Sequence, residues 1–166
     1  MPIYPLITLL PFAFALHNLE EILSMEKYTN SIPSGLHKPV TTRQFGIAVA
    51  LFTLLGFLVV FLKSYYPSEK IYYFFISGFS GMLLLNVFIP HLIATIYYKK
   101  YSPGIITALI INLPLTSWIL WLIKNSGILT VHQTVISAIS GGIIGLALVF
   151  VFLNIGKMID KMMTSA

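Results

Sequence analysis

Apolar residues run along this chain in five blocks of about twenty or more, separated by short polar or proline- and glycine-containing breaks. A helix needs about 20 mostly apolar residues to cross the hydrocarbon core of a bilayer. The blocks therefore predict membrane-spanning helices at residues 3–23, 43–63, 70–98, 103–124 and 133–156. Residues 1–166 read as a single polytopic transmembrane domain, an all-α integral membrane bundle of about five helices.

The breaks carry recognisable helix ends. Residues 24–42 form the longest polar stretch, and Pro33, Ser34, Gly35 and Pro39 within it disfavour regular structure. Thr41 with Gln44 three residues on reads as a capping box for the second span. Ser68 is the expected N-cap of the third span, and Ser102 that of the fourth, with Pro103 at its first helical position. Pro2 and Pro5 suit the first turn of the first span, whereas Pro11 should bend it. Pro90 and Pro114 interrupt the third and fourth spans and free the carbonyls of Asn86 and Ile110. Ala13-Phe14-Ala15 imitates a signal-peptide cleavage site, but without a basic n-region the first block is expected to stay as a span.

Composition supports the membrane reading. The chain is 57% hydrophobic and 9% charged, against about 25% charged for a typical soluble domain. The net charge of +5 does not suggest nucleic acid, because the basic residues sit singly or in pairs at the ends of apolar blocks. Lys27, Lys38, Arg43, Lys99, Lys100, Lys157 and Lys161 fall on one side of a five-span topology, and Lys63, Lys70 and Lys124 on the other. The positive-inside rule then places the N-terminus outside and the C-terminus in the cytoplasm, as expected for a bacterial cell membrane protein. The absence of cysteine excludes disulfides and thiolate metal sites.

Against this apolar background His17-Asn18-Leu19-Glu20-Glu21 stands out, holding two of the chain's five carboxylates. On a helix His17, Glu20 and Glu21 share a face about 100° wide. Helical rise puts His91 and Asn112 at similar depth and Asn86 about 7 Å deeper, so these groups converge if spans one, three and four are neighbours. On an ideal helix Asn86 and His91 lie about 140° apart, so a kink or bulge is needed to align them.

Three readings of the cluster compete. His17, Glu20 and Glu21 could be the hydrated end of the first helix. They could, with His91, supply the nitrogen and oxygen ligands of a divalent metal such as Zn, Fe or Mn, with Glu20, Glu21 and His91 as catalytic groups. They could instead form a proton-coupled or polar-ligand site without metal, as in a small transporter. An apolar or lipid-derived molecule from the bilayer is the expected ligand of an enzyme built this way. His37 and His132 fall in predicted loops and read as solvated. The absence of His-Glu-x-x-His excludes a zincin-type protease. In the fifth span, Ser137, Gly141 and Gly145 form a small-residue stripe suited to close helix packing, either within the chain or in a homodimer. That stripe is also the surface a membrane assembly subunit would use.

The His17–Glu21 pentapeptide resembles the defining motif of the HXXEE family of small bacterial integral membrane proteins. Asn86 with His91, followed by Lys100-Tyr101-Ser102-Pro103-Gly104, resembles that family's Asn-to-His pair and basic-Tyr-x-Pro-Gly turn. The likeness covers roughly residues 10 to 125. The family's Asn-x-x-x-His spacing is one residue longer here, with Pro90 inserted, and Lys100 replaces the more usual Arg. The resemblance implies a membrane protein whose site includes His17, Glu20, Glu21 and His91, with Asn86, Lys100 and Tyr101 in support; Asn112 joins the candidate set by its depth. The family has no settled activity, so the resemblance names no reaction.

Overall fold

The computed structural model describes residues 3–33 and 39–165. The expectations for Pro2, Ser34, Gly35, His37 and Lys38 fall outside those residues. Among the described residues five helices are long and apolar enough to cross a membrane: α1 (Tyr4–Ser31), α2 (Thr42–Phe61), α3 (Glu69–Tyr98), α4 (Ile105–Ser126) and α5 (Val131–Thr164). The described residues contain no strand.

Several predicted caps form. Thr41 and Gln44 make the reciprocal capping box of α2, and Ser68 accepts from the Ile71 amide at the start of α3. The start of α4 differs from expectation. Ser102 and Pro103 lie in a turn before the helix, and Gly104, at φ 86°, leads into Ile105.

Two helices outrun their apolar blocks. α1 continues through the predicted polar stretch to Ser31, because tertiary partners hold its last turns. Glu26 accepts from both the backbone amide and the hydroxyl of Thr42 at 2.6 Å. Lys100 Nζ donates to the Ser31 carbonyl at 2.9 Å, placing a cation at the negative end of the α1 dipole. α5 begins at a second capping box, Thr130 with Gln133, so His132 is helical rather than in a loop, although exposed. Its far end is held by Asp160, which takes hydrogen bonds from Thr41 and Gln44 and pairs with Arg43 at 3.3 Å.

The helices form a ring in the order α1, α2, α5, α3, α4, with α4 closing back on α1. Spans one, three and four are thus neighbours. The closest approach is between α3 and α5, where a Cβ on Gly141 would run into the Gly78 backbone and one on Gly81 would meet Ala138. Ser137 Oγ donates to the Phe74 carbonyl across the same seam. The small-residue stripe packs within the chain, one of the two uses its sequence allows. At the end of the bundle away from the His-Glu cluster, Ile7, Leu10, Tyr72, Ile76, Ile119 and Ile123 make a closed apolar core.

Candidate metal centre

Each proline that interrupts a span sits at a local departure from regular helix. α3 is broken by a kink within Val87–Leu92, where Ile89 leaves helical geometry at φ −127°, ψ 113°, and α4 widens to a π turn over Ala108–Asn112. A proline kink re-aims the residues on either side of it. Asn86 and His91 therefore look at the same point, which a regular helix would not allow.

At that point three ligand atoms meet. One atom each from His17, Glu21 and His91 lie within 4.8 Å of one another, and all three residues are buried. Glu21 Oε1 is 3.4 Å from His91 Nε2 and 3.8 Å from His17 Nε2. A tetrahedral ion with bonds of about 2.0–2.2 Å separates its ligand atoms by about 3.4 Å, so both carboxylate–imidazole distances are close to those around one ion. The imidazoles are nearly perpendicular, at 86° with centroids 4.8 Å apart, and the Asn86 amide nitrogen touches both Nε2 atoms, at 3.0 and 3.1 Å.

The hydrogen-bond network assigns the His17 tautomer. Thr107 Oγ1 lies 2.6 Å from Glu20 Oε2 and 3.0 Å from His17 Nδ1. Its single proton goes to the carboxylate, the stronger acceptor, so its oxygen accepts from His17 Nδ1–H. Nε2 then carries the lone pair, which faces the triad and accepts from the Asn86 amide. An outer carboxylate that orients a ligating histidine in this way is a recurring feature of metal sites, with a hydroxyl interposed here. The Pro103 carbonyl lies beside the His91 ring, although His91 Nδ1 makes no hydrogen bond of good geometry.

Glu20 does not join the triad. It accepts from the Tyr101 hydroxyl, from the Ile106 and Thr107 amides at the start of α4, and from Thr107 Oγ1. A carboxylate at a helix N-terminus is favoured by the helix dipole. Burial and the neighbouring Glu20 carboxylate push the Tyr101 phenol up to about 12, so it remains a donor. The hydrated-end reading does not fit His17 and Glu21, which are 0% and 8% exposed and ten or more residues from the end of α1. Asn112 is buried as expected, but neither polar atom of its side chain has a hydrogen-bond partner and none links it to the triad.

The 100–104 turn closes the site from below. Lys100 caps α1, Tyr101 holds Glu20, and Gly104 lies against the ligands. A Cβ at Gly104 would come within 2.7 Å of His17 Cε1 and 2.9 Å of both Glu21 Cγ and His91 Cε1. Two contributors escaped the sequence reading. Thr107 was detectable as the hydroxyl in the first turn of an otherwise apolar block. Asn18, inside the pentapeptide, donates to Thr53 Oγ1 at 2.7 Å and so ties α1 to α2.

Comparison with known proteins places this geometry in a family. The model of "Protein of unknown function with HXXEE motif" matches residues 8–119. The chain belongs to the HXXEE family. A curated relative, "Uncharacterized protein YrkK" of Bacillus subtilis (strain 168), is 34% identical over 149 residues, 90% of this chain and 94% of that protein. No solved structure matches. The matched region of this HXXEE protein contains every residue of the triad and of the turn beneath it.

Proposed function

We propose that this HXXEE protein is a metal-dependent membrane enzyme acting on an apolar or lipid-derived substrate. His17 Nε2, His91 Nε2 and Glu21 Oε1 would hold one divalent ion, Zn, Fe or Mn by the hardness of the donors. One observation carries the reading. Three lone-pair donors converge inside a bundle of apolar helices, and among the described residues no Lys or Arg pairs with them. Such an arrangement is costly unless a cation or a proton lies between the donors.

A two-histidine, one-carboxylate set leaves coordination positions for a substrate or water, as catalytic sites require. The ion would supply Lewis acidity there. Asn86 now donates to both Nε2 atoms, so ion binding requires its amide to turn, which presents Oδ1 towards the ion. Glu20 and Thr107 position His17, and Glu21 lines the adjoining cavity, where it can hold or move a proton at its second oxygen. The charge distribution supports a site in the inner leaflet, with the N-terminus outside and the C-terminus cytoplasmic.

Elemental analysis of the detergent-purified chain tests the reading. About one ion per chain is expected in the wild type, and almost none in a His17→Ala/Glu21→Ala double variant. No metal in either, after purification with each candidate ion supplied, would end the metal claim.

A further inference from the structure

We infer that the cavity beside the triad is a slot for the single hydrocarbon chain of a membrane amphiphile, with the amphiphile's polar head at Glu21 and Asn86. The inference deepens the proposed function and relies on it for what the head meets. The slot itself stands on separate observations.

A cavity of about 310 Å³ lies between α1, α2, α3 and α5. Its wall is almost wholly apolar, with Phe14, Phe45, Phe52, Met82 and Phe152 among the larger side chains. Its polar side chains are Glu21, Asn18 and Asn86, and Glu21 and Asn86 belong to or touch the triad. Ligand cavities of about 300–1,000 Å³ with a few placed polar groups are the usual binding-site form. A second apolar cavity of about 240 Å³ shares Phe52, Met82 and Gly145 with the first and extends to Phe75 and Ile144. Along α3, Asn86 to Phe75 is about 16 Å by helical rise. The two spaces thus lie end to end along α3, with Phe52, Met82 and Gly145 between them and the Glu21 carboxyl at one end.

That shape selects its occupant. A compact polar molecule would leave its own groups unpaired along the apolar wall. The two volumes, about 310 and 240 Å³, hold one hydrocarbon chain rather than a pair. α5 packs closely against α3 along this wall, since a Cβ at Gly142 would reach Leu85 Cδ2 at 2.9 Å and one at Gly145 would strike Met82. Met82 is an unbranched thioether that can adapt to a chain moving past it. The cavity wall includes Leu85, Ile89 and Leu146, which are 39%, 53% and 55% exposed on the apolar outer surface. The slot therefore communicates sideways with the bilayer, where such amphiphiles reside.

Photolabelling of the full chain in lipid nanodiscs tests this. The probes are long-chain primary alcohols carrying a diazirine next to the hydroxyl, at mid-chain, or at the tail. The label should move with the diazirine, from residues 18–25 and 86–90, through Phe52 and Met82, to residues 74–79 and 141–148. Val149→Trp, which fills the slot, should lower this internal labelling about tenfold while labelling of exposed Phe12 and Trp118 persists. If Val149→Trp does not fold, Ala48→Leu makes the same test with a smaller intrusion. Labelling that ignores diazirine position, or that neither variant reduces, overturns the slot. Graded labelling in a protein that binds no metal would retain the slot and overturn the metal reading alone.

Discussion

Asn86 and His91 stand five residues apart on α3, yet Asn86 Nδ2 lies 3.1 Å from His91 Nε2 because the helix kinks at Ile89 between them. The extra residue beside Pro90 is absorbed locally, and the rest of α3 stays helical to Tyr98. Deleting Ile89 should therefore restore a four-residue spacing on a regular helix, which also puts the two side chains on one face. Metal content of the deletion variant should stay within a few-fold of wild type, whereas Asn86→Leu should disturb the site. A complete loss of binding on deletion would show that the kink has a role beyond alignment.

Gly104 gives the sharpest steric prediction. Gly104→Ala introduces a Cβ against His17, Glu21 and His91 together, at a backbone φ of 86°. Gly127→Ala is a matched control, with φ 72° and open space around the new atom. The control should lose about 1 kcal/mol in thermal or chemical unfolding, the cost of left-handed backbone alone. Gly104→Ala should lose more, up to about 3 kcal/mol, and should also lose bound metal. Equal losses in the two variants would mean that Gly104 is a turn residue and nothing else.

Thr107 links Glu20 to His17, and its removal separates orientation from ligation. Thr107→Val keeps the shape but deletes both hydrogen bonds, so metal affinity should fall about 10–100-fold, the usual effect of losing an outer-shell partner. Thr107→Ser should recover most of it. An affinity unchanged in Thr107→Val, measured by competition with a metallochromic chelator, would remove the relay from the account.

Tyr101 sets an alkaline limit. Its phenol is held up to about 12, above the ordinary value near 10, by burial and then by its hydrogen bond to Glu20. The neutral form is the one the fold favours, so its stabilising contribution is complete below the ordinary value and lost as pH rises towards 12. The wild type should show a stability decrease across that interval that Tyr101→Phe lacks. The same decrease in both proteins would assign it to other groups.

Much of this molecule was legible in its apolar pattern, and the exceptions have physical causes. The third span, predicted at 70–98, is observed at Glu69–Tyr98, since a bilayer-length block ends where Lys99 turns left-handed at φ 51°. The first apolar block predicts a helix over 3–23, but α1 continues to Ser31, because apolar length reports the bilayer crossing and not the turns held by Glu26 and Lys100. His17, Glu21 and His91 were recognisable as ligand-type residues at compatible depth. That Glu21 meets the histidines while Glu20 turns to Tyr101 and α4 was not, because adjacent positions on one helical face differ only in which neighbour they reach. Asn112 shows the opposite limit: depth alone suggested convergence, and its side chain makes no hydrogen bond to the site.

X-ray absorption at the edge of the bound metal tests the central claim most directly. The account predicts a first shell with two imidazole nitrogens and at least one carboxylate oxygen at about 2.0–2.2 Å, with the imidazole scattering halved in His91→Ala. A shell of oxygen alone, or imidazole scattering unchanged by His91→Ala, would contradict it.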